Sequence, residues 1–242
     1  MNVADKAVVI TGAGSGVGRS TAQLLGANGA KLILAGRTAE KLEVVADEVR
    51  SQGGEALPVP TDIRSREQCE ALIARTVEQY GRIDILVNNA GLGIYGPIET
   101  VKGEDLEVLF DTNLKGAIYC AQAAYERMKD QRSGHIINIA SVAGKYGLPG
   151  ESAYVSTKFA LVGFAGSLKK EAIHHGVRVD TLCPGGIDTP FWDLVPNPPD
   201  TANFLSPDDV AGMVLYVAGT PTHMVFEDIV VHPHEEYVKR FA

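Results

Sequence analysis

The chain has 242 residues, 45% of them hydrophobic, and carries 22 Lys and Arg against 30 Asp and Glu, a formal net charge of −8. That length and apolar content suit one sizeable α/β core, and the lack of any basic block argues against a nucleic-acid partner. The opening M-N-V-A-D-K leads directly into an apolar run, no stretch reaches bilayer-spanning length, and Cys69, Cys120 and Cys183 form no C-x-x-C pair. These features lead us to expect a cytoplasmic protein with reduced thiols, no secretory leader and no membrane segment.

In chain order, short apolar runs at 6–11, 31–35, 55–60, 82–87, 134–140, 177–182 and 228–231 alternate with stretches of helical period. The helical stretches lie at about 16–28, 38–50 and 65–80, on either side of Asn113, around Tyr154, and at about 207–218. Continuous apolar runs alternating with amphipathic helices indicate parallel strands buried on both faces. The expected fold is therefore α/β: one Rossmann-like, doubly wound domain over 1–242, with about seven parallel strands and helices on both sides. The segment 189–206, rich in proline and aromatics, follows a strand's C-terminal end, where ligands bind in open α/β sheets; it is expected to form a substrate loop. His174-His175 falls at a helix end, and His232-Pro-His234 falls in what reads as a polar tail, so no metal site is expected.

Between the first run and the first helix stands T11-G-A-G-S-G-V-G18, with glycines at Gly12, Gly16 and Gly18. A tight turn of this kind lets the backbone, with Ser15 and Val17, approach a pyrophosphate at a helix N-terminus. The second run ends A35-G-R-T38, with no carboxylate to hold a ribose 2′-hydroxyl. Arg37, followed by Thr38, suits a 2′-phosphate instead, which favours NADP(H) over NAD(H). Asp62 and Ile63 after the third run, and N88-N-A-G91 after the fourth, are placed to line the adenine and the adjoining ribose, although both also fit ordinary turn chemistry. Ser141 closes the fifth run, thirteen residues before Tyr154. C183-P-G-G-I-D-T189 closes the sixth.

Tyr154 and Lys158 stand four residues apart, on one face of a helix. A cation so placed favours phenolate and lowers a phenol pKa of ~10. By itself the pair fits either a tuned general acid or a surface Tyr beside a snorkelling Lys.

The ordered set T11-G-x-x-x-G-x-G18, N88-N-A-G91, Asn113, Ser141, Y154-x-x-x-K158 and P184-G-x-I-x-T189 resembles the short-chain dehydrogenase/reductase family from residue 6 to about residue 188. The resemblance implies that Tyr154 is the general acid/base, that Lys158 lowers its pKa and binds the nicotinamide ribose, and that Ser141 polarises the substrate oxygen. It also implies that Asn113 holds a proton-relay water, while Pro184, Gly185, Ile187 and Thr189 secure the pyrophosphate and carboxamide. Asn89, Ala90 and Gly91 would lie against the cofactor. The expected activity is hydride transfer between NADPH and a small or medium carbonyl compound, with Phe191 and Trp192 as walls of the substrate site and a homodimer or homotetramer as the assembly. The chain ends E227-D-I-V-V-H-P-H-E-E-Y-V-K-R-F-A242, where many relatives close on D-G-G, which weighs against the alternative of a 3-oxoacyl thioester reductase. A non-catalytic NADP-binding sensor or scaffold is the alternative of another class, and loss of Tyr154 or Lys158 would have signalled it.

Overall fold

The structure is a computed structural model that describes residues 3–195 and 198–241. Among the described residues seven parallel strands form one sheet in the order β3-β2-β1-β4-β5-β6-β7. They are β1 (Ala7–Thr11), β2 (Lys31–Gly36), β3 (Glu55–Pro60), β4 (Ile85–Asn88), β5 (Gly134–Ile139), β6 (Val177–Pro184) and β7 (Asp228–Val231). The helices α1 (Gly16–Ala27), α2 (Ala39–Ser51) and α7 (Pro207–Ala218) cover one face, and α3 (Arg66–Tyr80), α5 (Ala117–Gln131) and α6 (Ser152–Ala172) cover the other.

The strand sequences produce this double cover directly. Successive side chains of a strand point to opposite faces. Accordingly Val8 and Ile10 join the core beneath α1, α2 and α7 while Val9 joins the core beneath α3, α5 and α6; Leu32 and Leu34 part from Ile33 in the same way. Each fully buried Leu or Ile side chain contributes roughly 1.5–3 kcal/mol by leaving water. Helix starts are set by local chemistry. Ser65 Oγ accepts from Gln68 N at 3.2 Å. Ser206 and Asp209 form a reciprocal capping box ahead of α7, with Pro207 in the first turn, where its missing N–H costs nothing.

Two expectations about elements change. The strand expected from residue 82 begins at Ile85; just before it, Asp84 Oδ2 accepts from Ala7 N at 2.9 Å and its Oδ1 pairs with Arg82 Nη2 at 2.8 Å. Helices stand on either side of Asn113, as expected. The residue itself sits in a π-helical turn, Asp111–Gly116, that joins α4 (Gly103–Phe110) to α5, a kind of irregularity that concentrates at functional sites. The polar tail is a helix, α8 (His234–Phe241). Cys69 and Cys120 are free, and the packing of α3 on α5 brings their sulfurs to 3.5 Å. Among the described residues no helix is long and apolar enough to cross a membrane.

A buried charged network holds β5 to β6. His135 Nε2 lies 2.8 Å from Asp180 Oδ2, and Arg178 Nη2 lies 3.0 Å from His135 Nδ1. A guanidinium can only donate, so Nδ1 accepts and the ring proton sits on Nε2, donating to Asp180. Lys169 Nζ stands 3.9 Å from Asp180 Oδ1. Burial, together with the Arg178 charge, holds the imidazole below its ordinary pKa despite Asp180. The unfolded chain therefore takes up a proton near pH ~6.5 that the folded chain refuses. This contribution to stability is complete above that pH and is lost as the pH falls. The urea midpoint is expected to decline below about pH 6.5, and His135→Gln, though less stable overall, should show a flatter decline.

Candidate active site

The C-terminal ends of β1, β4, β5 and β6 lie along one edge of the sheet, because all the strands are parallel. The winding reverses between β1 and β4, so their loops diverge and leave a crevice. Asn89 ties that crevice together: its Nδ2 donates to Thr11 O at 2.9 Å and to Gly12 O at 3.3 Å, while Thr11 Oγ1 accepts from Asn89 N and Ala90 N at 3.0 and 3.1 Å. Gly12 has φ +66°, and a Cβ there would lie 2.9 Å from Ala90 Cα; one on Gly18 would lie 2.2 Å from Gly12 O. Side chains at these positions would force the turn open. Ser15 caps α1 in extended conformation without a side-chain bond, Val17 is buried, and Gly16 faces the side chain of Thr189 across the crevice. The N-terminus of α1 thus opens onto a narrow cradle between Gly16 and Thr189. Its exposed amides and helix dipole fit a pyrophosphate.

At the end of β2, Arg37 and Thr38 are exposed, with no carboxylate between residues 35 and 38. Asp62 has a partner of its own. Its carboxylate is already engaged by Arg64, with Nε 3.0 Å from both oxygens and the main-chain N 3.0 Å from Oδ1. That pairing holds Asp62 below its ordinary pKa, with Arg37 adding a smaller effect. An adenine amino group would have to share the acceptor with Arg64. Ile63 is buried against Gly116 and accepts from Cys69 Sγ at 3.2 Å.

On α6, Tyr154 and Lys158 are both buried, and Lys158 Nζ lies 5.6 Å from the centre of the Tyr154 ring. Nζ donates to Ile139 O at 3.2 Å. Ser141 caps a short 3₁₀ turn, Val142–Gly144, accepting from Ala143 N at 3.1 Å, and its hydroxyl acts on Tyr154 in the sense that favours phenolate. Asn113 Oδ1 accepts from Leu92 N at 2.9 Å, and its Nδ2 donates to Leu92 O at 2.8 Å and to Thr157 Oγ1 at 3.2 Å. Both amide hydrogens are therefore committed, leaving one Oδ1 lone pair for the expected relay water. Gly91 adjoins Asn113 Oδ1 and Lys158 Nζ.

The electrostatics depart from the expected pairing. Burial pushes the Tyr154 hydroxyl well above the usual phenol range, the hydrogen bonds from Ser141 and Tyr95 pull it back, and the Glu151 carboxylate raises it. Burial brings the Lys158 ammonium down to about 8. Within this shut site the groups acting most strongly to favour phenolate are the two hydroxyls.

Tyr95 escaped the sequence analysis. It lies in G91-L-G-I-Y-G96, and the one available signal was an aromatic residue between glycines just past N-N-A-G. Its ring meets Tyr154 edge-on at 5.3 Å and Trp192 at 5.7 Å. Phe191 lies 6.1 Å from Tyr154, and Phe204 packs on Trp192 at 5.7 Å. The segment 189–206 thus closes aromatic side chains over the tyrosine; Pro196 and Asn197 within it lie outside the described residues. The loop after Pro184 is strapped down by Trp192 Nε1 donating to Ile187 O at 2.8 Å and by Gly186 N donating to Glu236 Oε2 at 2.9 Å, beside Gly185. Desolvation and the facing Glu236 bring the half-buried Glu151 carboxyl up to about 7.

The chain matches the short chain dehydrogenase family model over residues 6–198. It is 38% identical over 229 residues to an uncharacterized oxidoreductase of Staphylococcus aureus, an alignment covering 95% of this chain and 97% of the relative. It is similar to a metagenomic short-chain oxidoreductase solved in complex with NADP, with TM-score 0.85, 33% identity and coverage of 96% and 98% of the two chains. It is also similar to an alcohol dehydrogenase from the archaeon Thermococcus sibiricus complexed with 5-hydroxy-NADP, with TM-score 0.88, 29% identity and coverage of 95% and 97%. With this edge geometry and these matches, the chain belongs to the short-chain dehydrogenase family and is an oxidoreductase.

Proposed function

We propose that the protein is an NADP-dependent oxidoreductase that interconverts a small or medium apolar carbonyl compound and its alcohol. The observation that carries this is the convergence of Tyr154, Ser141 and Lys158 on one point of the sheet edge, beside the β1/β4 crevice. The glycine turn, the α1 N-terminus and Thr189 fit a dinucleotide's pyrophosphate, and Arg37 with Thr38 fits its 2′-phosphate. The complexes of two similar proteins with NADP and 5-hydroxy-NADP support the same cofactor. When bound, the dinucleotide supplies the hydride that reduces the carbonyl carbon.

The chain's own residues handle the proton. The Tyr154 hydroxyl donates its proton to the carbonyl oxygen as negative charge develops there, and Ser141 donates a hydrogen bond to that oxygen. Burial favours neutral phenol in the resting site, which keeps the proton available. The Lys158 ammonium offsets the phenolate left behind. Asn113 fixes the loop at Leu92 and so the wall opposite Tyr154. Phe191 and Trp192, standing over Tyr154, form an apolar wall, and the substrate loop 189–206 excludes water once a ligand is bound. The free thiols suit a reducing, cytoplasmic compartment. Phe159 on α6 and Ile173 just beyond it are exposed apolar side chains that suit burial in a homodimer or homotetramer.

Cofactor choice is tested by titrating NADPH and NADH by fluorescence. Wild type should bind NADPH more tightly, and Arg37→Ala should weaken NADPH about tenfold or more while leaving NADH nearly unchanged; equal binding of both would remove the NADP assignment. With NADPH and an activated ketone such as 1-phenyl-1,2-propanedione, Tyr154→Phe should lower kcat by about 10²–10⁴ without loss of NADPH binding. Near-wild-type turnover by that variant would end the role given to Tyr154. Because the Lys158 ammonium is charged only below about pH 8, reductive kcat should fall as the pH rises through that value. Lys158→Arg, which stays charged, should move that limb upward.

A further inference from the structure

We propose that Tyr95 is a second phenol of the proton-transfer site, a positioning residue that donates a hydrogen bond to the Tyr154 oxygen and stabilises the phenolate formed when Tyr154 gives up its proton. The inference rests on Tyr154 acting as the acid. The geometry fixes Tyr95 from both sides. Upstream, Leu92 is clamped through its N–H and its C=O by the Asn113 amide. Downstream, Gly96 N donates to Gly150 O at 2.7 Å, which ties the loop to the turn that opens α6. Both anchors therefore belong to elements that carry the catalytic constellation, and Tyr95 moves with Tyr154.

Between the anchors the ring has no freedom to turn aside. A Cβ on Gly93 would come within 2.8 Å of the Tyr95 ring and 2.6 Å of Phe191, so the absence of a side chain there is what lets the two aromatics close. Trp192 lies along one side of the ring at 5.7 Å, inclined by 30°, and Tyr154 meets it edge-on with 81° between the planes. So placed, the Tyr95 hydroxyl favours the charged form of Tyr154, and Tyr154 favours the neutral form of Tyr95. Burial pushes the Tyr95 hydroxyl further above its ordinary value than that of Tyr154. The proton ledger then closes with one transfer: the Tyr154 hydrogen goes to the substrate oxygen, the O–H bond of Tyr154 breaks, and the Tyr95 hydrogen stays on Tyr95 and is donated in a hydrogen bond to the new phenolate. Such a bond is stronger to the charged form than to the neutral one, so it acts on the transition state more than on the bound substrate.

The test compares Tyr95→Phe with wild type, using Tyr154→Phe as reference, in full-length protein saturated with NADPH or NADP. In 1-phenyl-1,2-propanedione reduction, Tyr95→Phe should lower kcat about 10- to 100-fold with a much smaller change in KM. In oxidation of the corresponding alcohol, where Tyr154 must be phenolate, the acid limb of the pH profile should move to higher pH. With ring-labelled tyrosine, the Tyr154 Cζ resonance, identified by its loss in Tyr154→Phe, should shift in Tyr95→Phe even if neither compound is turned over. An unmoved resonance, or an unchanged kcat and pH limb with Tyr154→Phe inactive, would overturn the role of Tyr95 alone. Activity retained by Tyr154→Phe would instead remove the functional assignment on which it rests.

Discussion

The hydrogen bonds from Asn89 to the glycine turn are the constraint on which the rest of the site depends. The sheet reverses its winding between β1 and β4, and the two loops leaving those strands would otherwise diverge freely over the edge. One amide spans them, donating to two successive carbonyls, Thr11 and Gly12, while the Thr11 hydroxyl takes the first two amides of the β4 loop. This sets the width of the crevice. It also fixes the start of the loop that continues through Gly91 and Leu92 to Asn113, so the glycine cradle and the chemistry at Tyr154 share a single frame. The Asn89 side chain is spent on the wall itself, bonding the carbonyls of Thr11 and Gly12.

A second consequence follows from covering the sheet on both faces. Nothing polar can be satisfied in the middle of such a sheet except by local pairing, as in the His135–Asp180–Arg178 network, so reactive groups are displaced to the edge. There they are still half enclosed. Burying Tyr154 and Lys158 together, without a carboxylate partner for the ammonium, destabilises the charged form of each. The site offsets this with neutral donors and acceptors: Ser141 and Tyr95 for the phenol, and the Ile139 carbonyl for the ammonium. A carboxylate in the same place would favour the charged form of Lys158 but would oppose ionisation of Tyr154. Hydroxyl groups favour the phenolate without adding a competing charge.

How much of this was legible in the sequence depends on how local each feature is. The strands and the glycine turn could be read because an apolar run, or a glycine three to five residues from another, carries its own physical reason. The same holds for Tyr154 and Lys158, whose shared face follows from helical period alone. What failed to show were partnerships settled by packing. Arg64 reaches back two residues to occupy Asp62, a choice among exposed rotamers that no spacing reveals. Cys69 and Cys120 meet only because α3 and α5 lie side by side. The bonds of Asn113 to Leu92 and of Asp84 to Ala7 likewise join residues far apart in the chain. Tyr95 is the instructive case: it reaches Tyr154 only because Gly96 is tied to Gly150, fifty-four residues further along the chain.

The same dependence on distant partners governs the loop after β6, and it links the end of the chain to the site. Gly185 and Gly186 present no side chains, which permits two approaches that any Cβ would block: Glu236 of α8 comes against Gly185, and the Phe204 ring lies against Gly186. Glu236 then accepts from Gly186 N, Leu205 N donates to Gly186 O at 3.0 Å, and Asp188 N returns a bond to Leu205 O at 2.8 Å. Two separate segments therefore hold the turn 185–188, whose paired glycines would otherwise leave its backbone many conformations. Because Trp192 also takes the Ile187 carbonyl, the aromatic cover and the loop are one mechanical unit. The Trp192 bond takes one of the two acceptor positions of that carbonyl. The same indole packs on Tyr95, and Tyr95 and Phe191 pack on Tyr154, so one hydrogen bond ties the loop after β6 to the aromatic cluster around the tyrosine.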